Sequence, residues 1–165
     1  MFVDNDLKLN DGDNVRASDP DYSSSYDLTL SPELGVGHEC YVVIVVNTYV
    51  AGGSNGTTFN IVLSSSETFA TGNTFVATKF VSNTDLAARA GDAGLGAGQS
   101  QPIILKFQIS QEDAAINVQG PGNRYLGIRY DHSTQPTTMT TTAYLTTDIQ
   151  SNPKHGFFAS GSTIL

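Results

Sequence analysis

Residues 39–50 read ECYVVIVVNTYV, and the way this run is divided between two faces decides the fold. Its β-branched and aromatic residues favour extended backbone. As a strand it places Cys40, Val42, Ile44 and Val46 on one side and Tyr41, Val43 and Val45 on the other. Both sides are apolar, whereas a strand in a two-layer sandwich needs only one apolar face. The second face therefore needs a cover, supplied by a loop of the same chain or by a second subunit, and Tyr41, Val43 and Val45 are a candidate surface for a homo-oligomer.

Outward from this strand, apolar spacing with a helical period is scarce and strand signals recur. Asp11-Gly12 reads as a tight turn between LKLN and NVRAS, and SYDLTL (25–30), TTFNIVLSS (57–65), NTFVATKFV (73–81), IILKFQI (103–109), RYLGIRYD (124–131) and TTMTTTAYLTTDI (137–149) read as strands. AGGSNG, ARAGDAGLGAGQSQP and QGPGN are connectors, and Asp85 to Arg89 forms one short helical turn. About eight strands without intervening helices predict a single all-β domain over residues 1–165, an antiparallel jelly-roll-like β-sandwich. A short N-terminal arm (1–6) and a C-terminal tail (about 150–165) extend from it.

The charge balance argues against a nucleic-acid partner. The net charge is -8, and Lys8, Arg16, Lys79, Arg89, Lys106, Arg124, Arg129 and Lys154 are scattered singly. Even PGNRYLGIRY (121–130), where arginines lie among tyrosines, divides in two as a strand: Leu126, Ile128 and Tyr130 point one way, and Tyr125, Gly127, Arg129 and Asp131 the other. The first set fills a core, while Arg124 and Arg129 are single polar contacts within the sheet or to a protein neighbour. No apolar run reaches membrane-spanning length, and the start, MFVDNDLKLNDGD, is acidic where a secretion signal is basic, so a soluble chain made in the cytoplasm is expected. The lone Cys40 has no disulfide or CxxC partner and reads as a small buried hydrophobe.

Several strings imitate chemistry. Gly52-Gly53-Ser54-Asn55-Gly56 spells the G-x-S-x-G nucleophile elbow, but a β-rich stretch follows where that elbow needs a helix, so a hairpin loop is expected. The same turn explains the sequon letters of Asn55-Gly56-Thr57. His38, His132 and His155 lack metal-ligand spacing and read as surface residues near loops. In DNDLKLNDGDN, Leu7 and Leu9 fall where an EF-hand loop needs oxygen ligands, which leaves only an irregular convergence of carboxylates as a calcium site. Asp19/Asp21 and Glu112/Asp113 lie in polar turns with no apolar pocket to separate their acidities. No catalytic, cofactor or metal residue is assigned.

The opening MFVDNDLKLNDGDNVRASDPDYSSSYDLTL, then LGVGHECYVVIVV, the NIVLSSSETF hairpin arm, IILKFQI and RYLGIRY occur in an order that resembles the capsid cement (decoration) family of tailed bacteriophages, typified by the Bordetella phage cement protein. The resemblance covers roughly residues 1 to 131. Its most specific pieces are the M-[FY]-x-D start with its x-L-x-L-[SN]-D strand, G-x-G-x-x-x-Y-V-V, and R-Y-L-x-[IL]-x-Y. It implies a jelly-roll structural protein of the virion, neither enzyme nor cofactor-dependent, that binds the outer surface of the assembled head. There it would contact the major capsid protein and tie neighbouring capsomers together, as a homo-oligomer, a dimer or alternatively a trimer. Phe2 and Val3, too apolar for a solvated arm, are expected to dock on a neighbouring sheet or the capsid, so the candidate contact residues are Phe2, Val3, Tyr41, Val43, Val45 and Arg129. The chain departs from the pattern at TTDIQSNPKHGFFASGSTIL. Two other classes compete: a virion-associated jelly-roll module for a host receptor or carbohydrate, and a cupin-type enzyme, which would need clustered histidines.

Overall fold

Ten strands and one helix follow one another as β1 (Lys8–Asn14), β2 (Asp21–Tyr22), β3 (Tyr26–Asp27), β4 (Cys40–Val50), β5 (Gly56–Ser64), β6 (Thr74–Ser82), α1 (Asn83–Arg89), β7 (Ile103–Ile109), β8 (Tyr125–His132), β9 (Thr138–Thr146) and β10 (Thr163–Ile164). This computed structural model describes residues 8–15, 20–28, 40–50, 52, 55–89, 103–109, 124–146 and 163–164. One sheet has the order β1-β9-β4-β7-β10, the other β2-β8-β5-β6 with β3 also on β8. The pairing is nested: β5 with β6, β4 with β7, β2 and β3 with β8, β1 with β9. The chain is thus one long hairpin bent between β5 and β6 and rolled until β4 meets β9 and β5 meets β8, which is jelly-roll connectivity. All pairs are antiparallel except β10, which lies parallel to β7 at Ile103 and Ile104 and brings the last strand of the tail to the sheet edge.

The inner faces meet as the alternation predicts. Val42, Ile44 and Val46 of β4, Leu105 of β7 and Leu145 of β9 face Phe59, Ile61 and Leu63 of β5 and Leu126, Ile128 and Tyr130 of β8 in one buried cluster. Each such side chain contributes roughly 1.5–3 kcal/mol by leaving water. Phe59 and Tyr130 pack edge to face, with centroids 5.8 Å apart and planes at 79°. Tyr130 brings a hydroxyl into this core, and it is satisfied: Asn10 Nδ2 donates to Tyr130 Oη (2.7 Å) and to Thr141 Oγ1 (2.8 Å), which ties β1 and β9 to β8 across the sandwich.

Four expectations are corrected. Asp11-Gly12 does not turn the chain; β1 runs through it along β9, with register shifts on either side of Asp11 and Gly12 at φ 75. The glycine's freedom at positive φ serves a bulge here instead of a hairpin. Of the described residues 25–28 in the 25–30 stretch, only Tyr26–Asp27 is strand; ahead of it Ser23 ties the chain to β8, its amide donating to the Ile128 carbonyl (2.9 Å) and its Oγ accepting from the Ile128 amide (2.8 Å). The connector at 52–56 is not a hairpin loop, since β4 and β5 belong to different sheets and the chain crosses the sandwich there. A strand follows it, so no helix N-terminus stands behind the G-x-S-x-G letters. Finally, His132 is buried at the end of the core: Nε2 lies 2.7 Å from the Val15 carbonyl and Nδ1 3.0 Å from Thr57 Oγ1. A carbonyl only accepts, so Nε2 carries the proton.

The helical turn starts at Asn83, earlier than Asp85, because Ser82 caps it: the Asp85 amide donates to Ser82 Oγ (3.1 Å) while the Ser82 hydroxyl donates to Asp85 Oδ2 (2.8 Å). Leu86 then anchors α1 in the core. Among the described residues no helix is long and apolar enough to cross a membrane.

The second face of β4 is covered within a single chain at its centre. Val43, Ile104 and Tyr144 form a buried cluster with Val45 packed against it, and Val43 is only 3% exposed. Register explains the grouping, since Val43 stands between Lys106 and Tyr144, and Val45 between Ile104 and Thr142.

Burial also raises the pKa of the Tyr144 and Tyr49 phenols above the ordinary value. The folded state thus favours the neutral phenol. The associated stability is fully present below the unfolded pKa of about 10 and is lost as pH rises through the folded values. The urea midpoint should therefore be level through neutral pH and fall in strong alkali, and Tyr144→Phe should flatten that fall. An identical alkaline slope in the variant would refute the assignment.

Candidate functional site

The outer face of the β2-β8-β5-β6 sheet gathers the chemically versatile side chains. Arg129 and Asp131, two apart on β8, share this face. Arg129 Nε and Nη2 donate to Asp131 Oδ1 (2.8 and 2.7 Å), Asp131 Oδ2 accepts from Asn60 Nδ2 (2.7 Å), and Asn60 Oδ1 accepts from Thr78 Oγ1 (2.8 Å). The ladder crosses three strands in register, Arg129 opposite Asn60 and Asn60 opposite Thr78. The Arg129 guanidinium lies 5.3 Å from the Phe75 ring centroid. A partly exposed ion pair of this kind adds at most about 1 kcal/mol, so its main effect is to hold Arg129 flat and balanced in charge.

Beside the ladder, the β5–β6 connection folds back over the sheet. Phe69 stacks on Tyr22 with centroids 5.3 Å apart and planes at 6°, and it sits directly on Gly127. Any Cβ at Gly127 would fall 2.2 Å from Phe69 Cζ, so only glycine admits the ring. Phe69 itself has φ 56, unusual for an aromatic residue. The loop is held in that shape by the Phe69 amide donating to the Ser66 carbonyl (3.1 Å) and Asn73 Nδ2 donating to the Phe69 carbonyl (2.9 Å).

Among the described residues, the large apolar side chains left open are Phe75 and Phe80, 50% and 54% exposed, both on the sheet-edge strand β6. Five residues apart, they would point to opposite sides of a regular strand. A register shift between Ile61 and Val62 bulges β6 at Val76, which sets Phe75 opposite Val62 and Phe80 opposite Thr58 on one outer face.

Arg129 makes its contacts within the sheet. Tyr41 lies beneath Lys106, whose Nζ is 5.0 Å from the ring centroid, Val45 is half-buried, and Val43 is buried. Phe2 and Val3, together with His38, His155, Asp19 and the Glu112/Asp113 pair, lie outside the described residues. Arg124 forms a bidentate pair with Asp27 and lies over the Tyr125 ring. Asp21 Oδ1 accepts from the Tyr22 amide (2.9 Å). Among the described residues, no group of three His, Cys, Asp or Glu side chains is placed to hold a metal ion. Sequence reasoning missed Phe75, Phe80 and the Phe69–Tyr22 stack. The one legible signal was the glycine within RYLGIRY, since glycine inside a strand marks a close approach of another group.

No family model matches this chain, and the search of curated proteins finds no significant match.

Proposed function

We propose that the protein is a structural cement of a bacteriophage head, bound to the outer surface of the assembled shell and tying neighbouring capsomers together against internal DNA pressure. The observation that supports this reading most is the nested jelly-roll pairing, the architecture implied by the resemblance carried in residues 1 to 131. The described polar groups agree with it: Arg129, Asp131, Asn60, Tyr130 and His132 are engaged in holding strands and sheets to one another. On this proposal the arm with Phe2 and Val3, and Tyr41 and Val45 on the other sheet, meet the major capsid protein. The mechanism is mass action: a protein that binds only the closed shell adds its binding free energy to that shell, multiplied over many copies.

Heads assembled without the protein should form, yet lose DNA at lower temperature or under osmotic shock. Adding back the purified protein should restore them in the presence of a chelator. Heads equally robust with and without it would end the proposal. A second reading, recognition of a host glycan, draws on the exposed Phe75 ring beside the Arg129–Asp131–Asn60 ladder, an apolar platform edged by polar groups. Glycan-array binding abolished by Phe75→Ala would favour it.

A further inference from the structure

The connector between β4 and β5 ends in Asn55-Gly56, the one Asn-Gly pair in the sequence. Asn55 is exposed and has φ 96, a left-handed conformation that asparagine enters more readily than other residues bearing a side chain. Gly56 opens β5 in a tight place: a Cβ there would fall 2.1 Å from the Val81 carbonyl oxygen. Packing therefore demands glycine at this position, and the backbone nitrogen that follows Asn55 has no side chain to shield it. The Asn55 carbonyl accepts a hydrogen bond from the Asn83 amide (2.5 Å) at the start of α1. By contrast, the side-chain amides of Asn10, Asn47, Asn60, Asn73 and Asn83 are each engaged in a hydrogen bond, and each of these residues is followed by one that carries a side chain.

We propose that Asn55 is a self-modification site, at which the Gly56 nitrogen attacks Asn55 Cγ and the side-chain amide passes through a succinimide to isoaspartate. Hydroxide removes the Gly56 amide proton, the nitrogen forms a bond to Cγ, and the bond from Cγ to the side-chain nitrogen breaks, so that ammonia leaves with a proton taken from water. Water then adds to the main-chain carbonyl carbon of the ring and cleaves its bond to the Gly56 nitrogen. The chain now continues through Cβ and Cγ, and the former main-chain carbonyl is a free carboxylate. The Asn83 amide assists both steps. The charge of a deprotonated peptide nitrogen is shared with the preceding carbonyl oxygen, and a fixed donor on that oxygen stabilises it. The same donor polarises that carbonyl within the ring, which directs water there in preference to Cγ and favours isoaspartate over aspartate. The product lengthens the backbone and adds a negative charge where the chain crosses from one sheet to the other. This inference is independent of the cement reading and is tested on purified protein, so either can fail alone.

The full chain is aged in mildly alkaline buffer, both folded and in urea, and peptide mapping with electron-transfer fragmentation counts isoaspartate and aspartate at position 55. The expected result is conversion in the folded chain no slower than in urea, with a higher ratio of isoaspartate to aspartate. Asn83→Pro removes the donor at the first helical position, where proline is well tolerated, and should slow conversion by roughly fivefold to tenfold, the worth of one hydrogen bond. Asn83→Ala loses the side chain, keeps the amide and should age like the parent. An Asn55 that stays an amide in the folded chain while converting in urea would overturn the proposal, and this comparison needs no variant. An Asn83→Pro chain that folds, by its circular-dichroism melt, yet ages at the parent rate would overturn the role of the Asn83 amide, as would an Asn83→Ala chain slowed to the same extent.

Discussion

Val43→Lys is expected to destabilise the folded chain strongly, not merely to divide an oligomer. Val43 is 3% exposed and grouped with Ile104 and Tyr144, and in register it stands directly opposite Lys106. A second ammonium there would be buried beside a like charge with no acceptor designed for it. The cost is on the order of 3–5 kcal/mol, a large share of a total stability of about 5–15 kcal/mol. Val43→Asp should be milder, since Lys106 can turn from the Tyr41 ring toward the new carboxylate. Urea titration followed by tyrosine fluorescence, in a chain without tryptophan, measures both. If Val43→Lys melts like the parent protein, Val43 is not part of a core, and an open, subunit-facing β4 surface returns.

Gly127→Val should cost about 3 kcal/mol, at the upper end for overpacking. The new side chain meets the Phe69 ring at 2.2 Å, and the ring cannot move aside without leaving Tyr22. The loop between β5 and β6 and the short strand β2 would then lose their shared anchor. Gly127→Ala should show the same effect in smaller form. The control is a double-mutant cycle: in a Phe69→Ala background, Gly127→Ala should become nearly neutral, because the clash has no partner. Additive losses would mean that the glycine is required for its backbone alone.

The Val43 cluster and the Phe69 stack both lie outside the main core, on the outer faces of the two sheets. The inner faces are largely aliphatic, with the Phe59–Tyr130 pair among them. The outer face of the β1-β9-β4-β7-β10 sheet carries the small cluster around Val43, whereas the outer face of the second sheet carries a charge-balanced ladder and two open rings. Of the candidate contact residues, Arg129 bonds to Asp131 on its own strand. Tyr41 and Val45 keep some exposure, and the widest apolar exposure among the described residues lies on β6 instead.

What the sequence determined by itself was everything governed by a period of two. Alternation in 39–50 and 124–131 placed Val42, Ile44, Leu126, Ile128 and Tyr130 in the core, and the scarcity of helix-period spacing specified an all-β chain. Tertiary structure alone decided what happens where that period breaks. A bulge near Asn47 turns Tyr49 into the core, another at Val76 brings Phe75 and Phe80 to one face, and a third lets β1 pass through Asp11-Gly12 without turning. A bulge inserts one unpaired residue and so reverses the facing of everything after it, and its position depends on which partner strand is being matched. The bulge at Val76 is set by the neighbouring strand β5, but those in β1 and β4 are set by β9, far along the chain, so no local window contains the information for them. The same holds for Phe69 on Gly127, and for His132, whose partners Val15 and Thr57 come from the other arm of the fold's long hairpin.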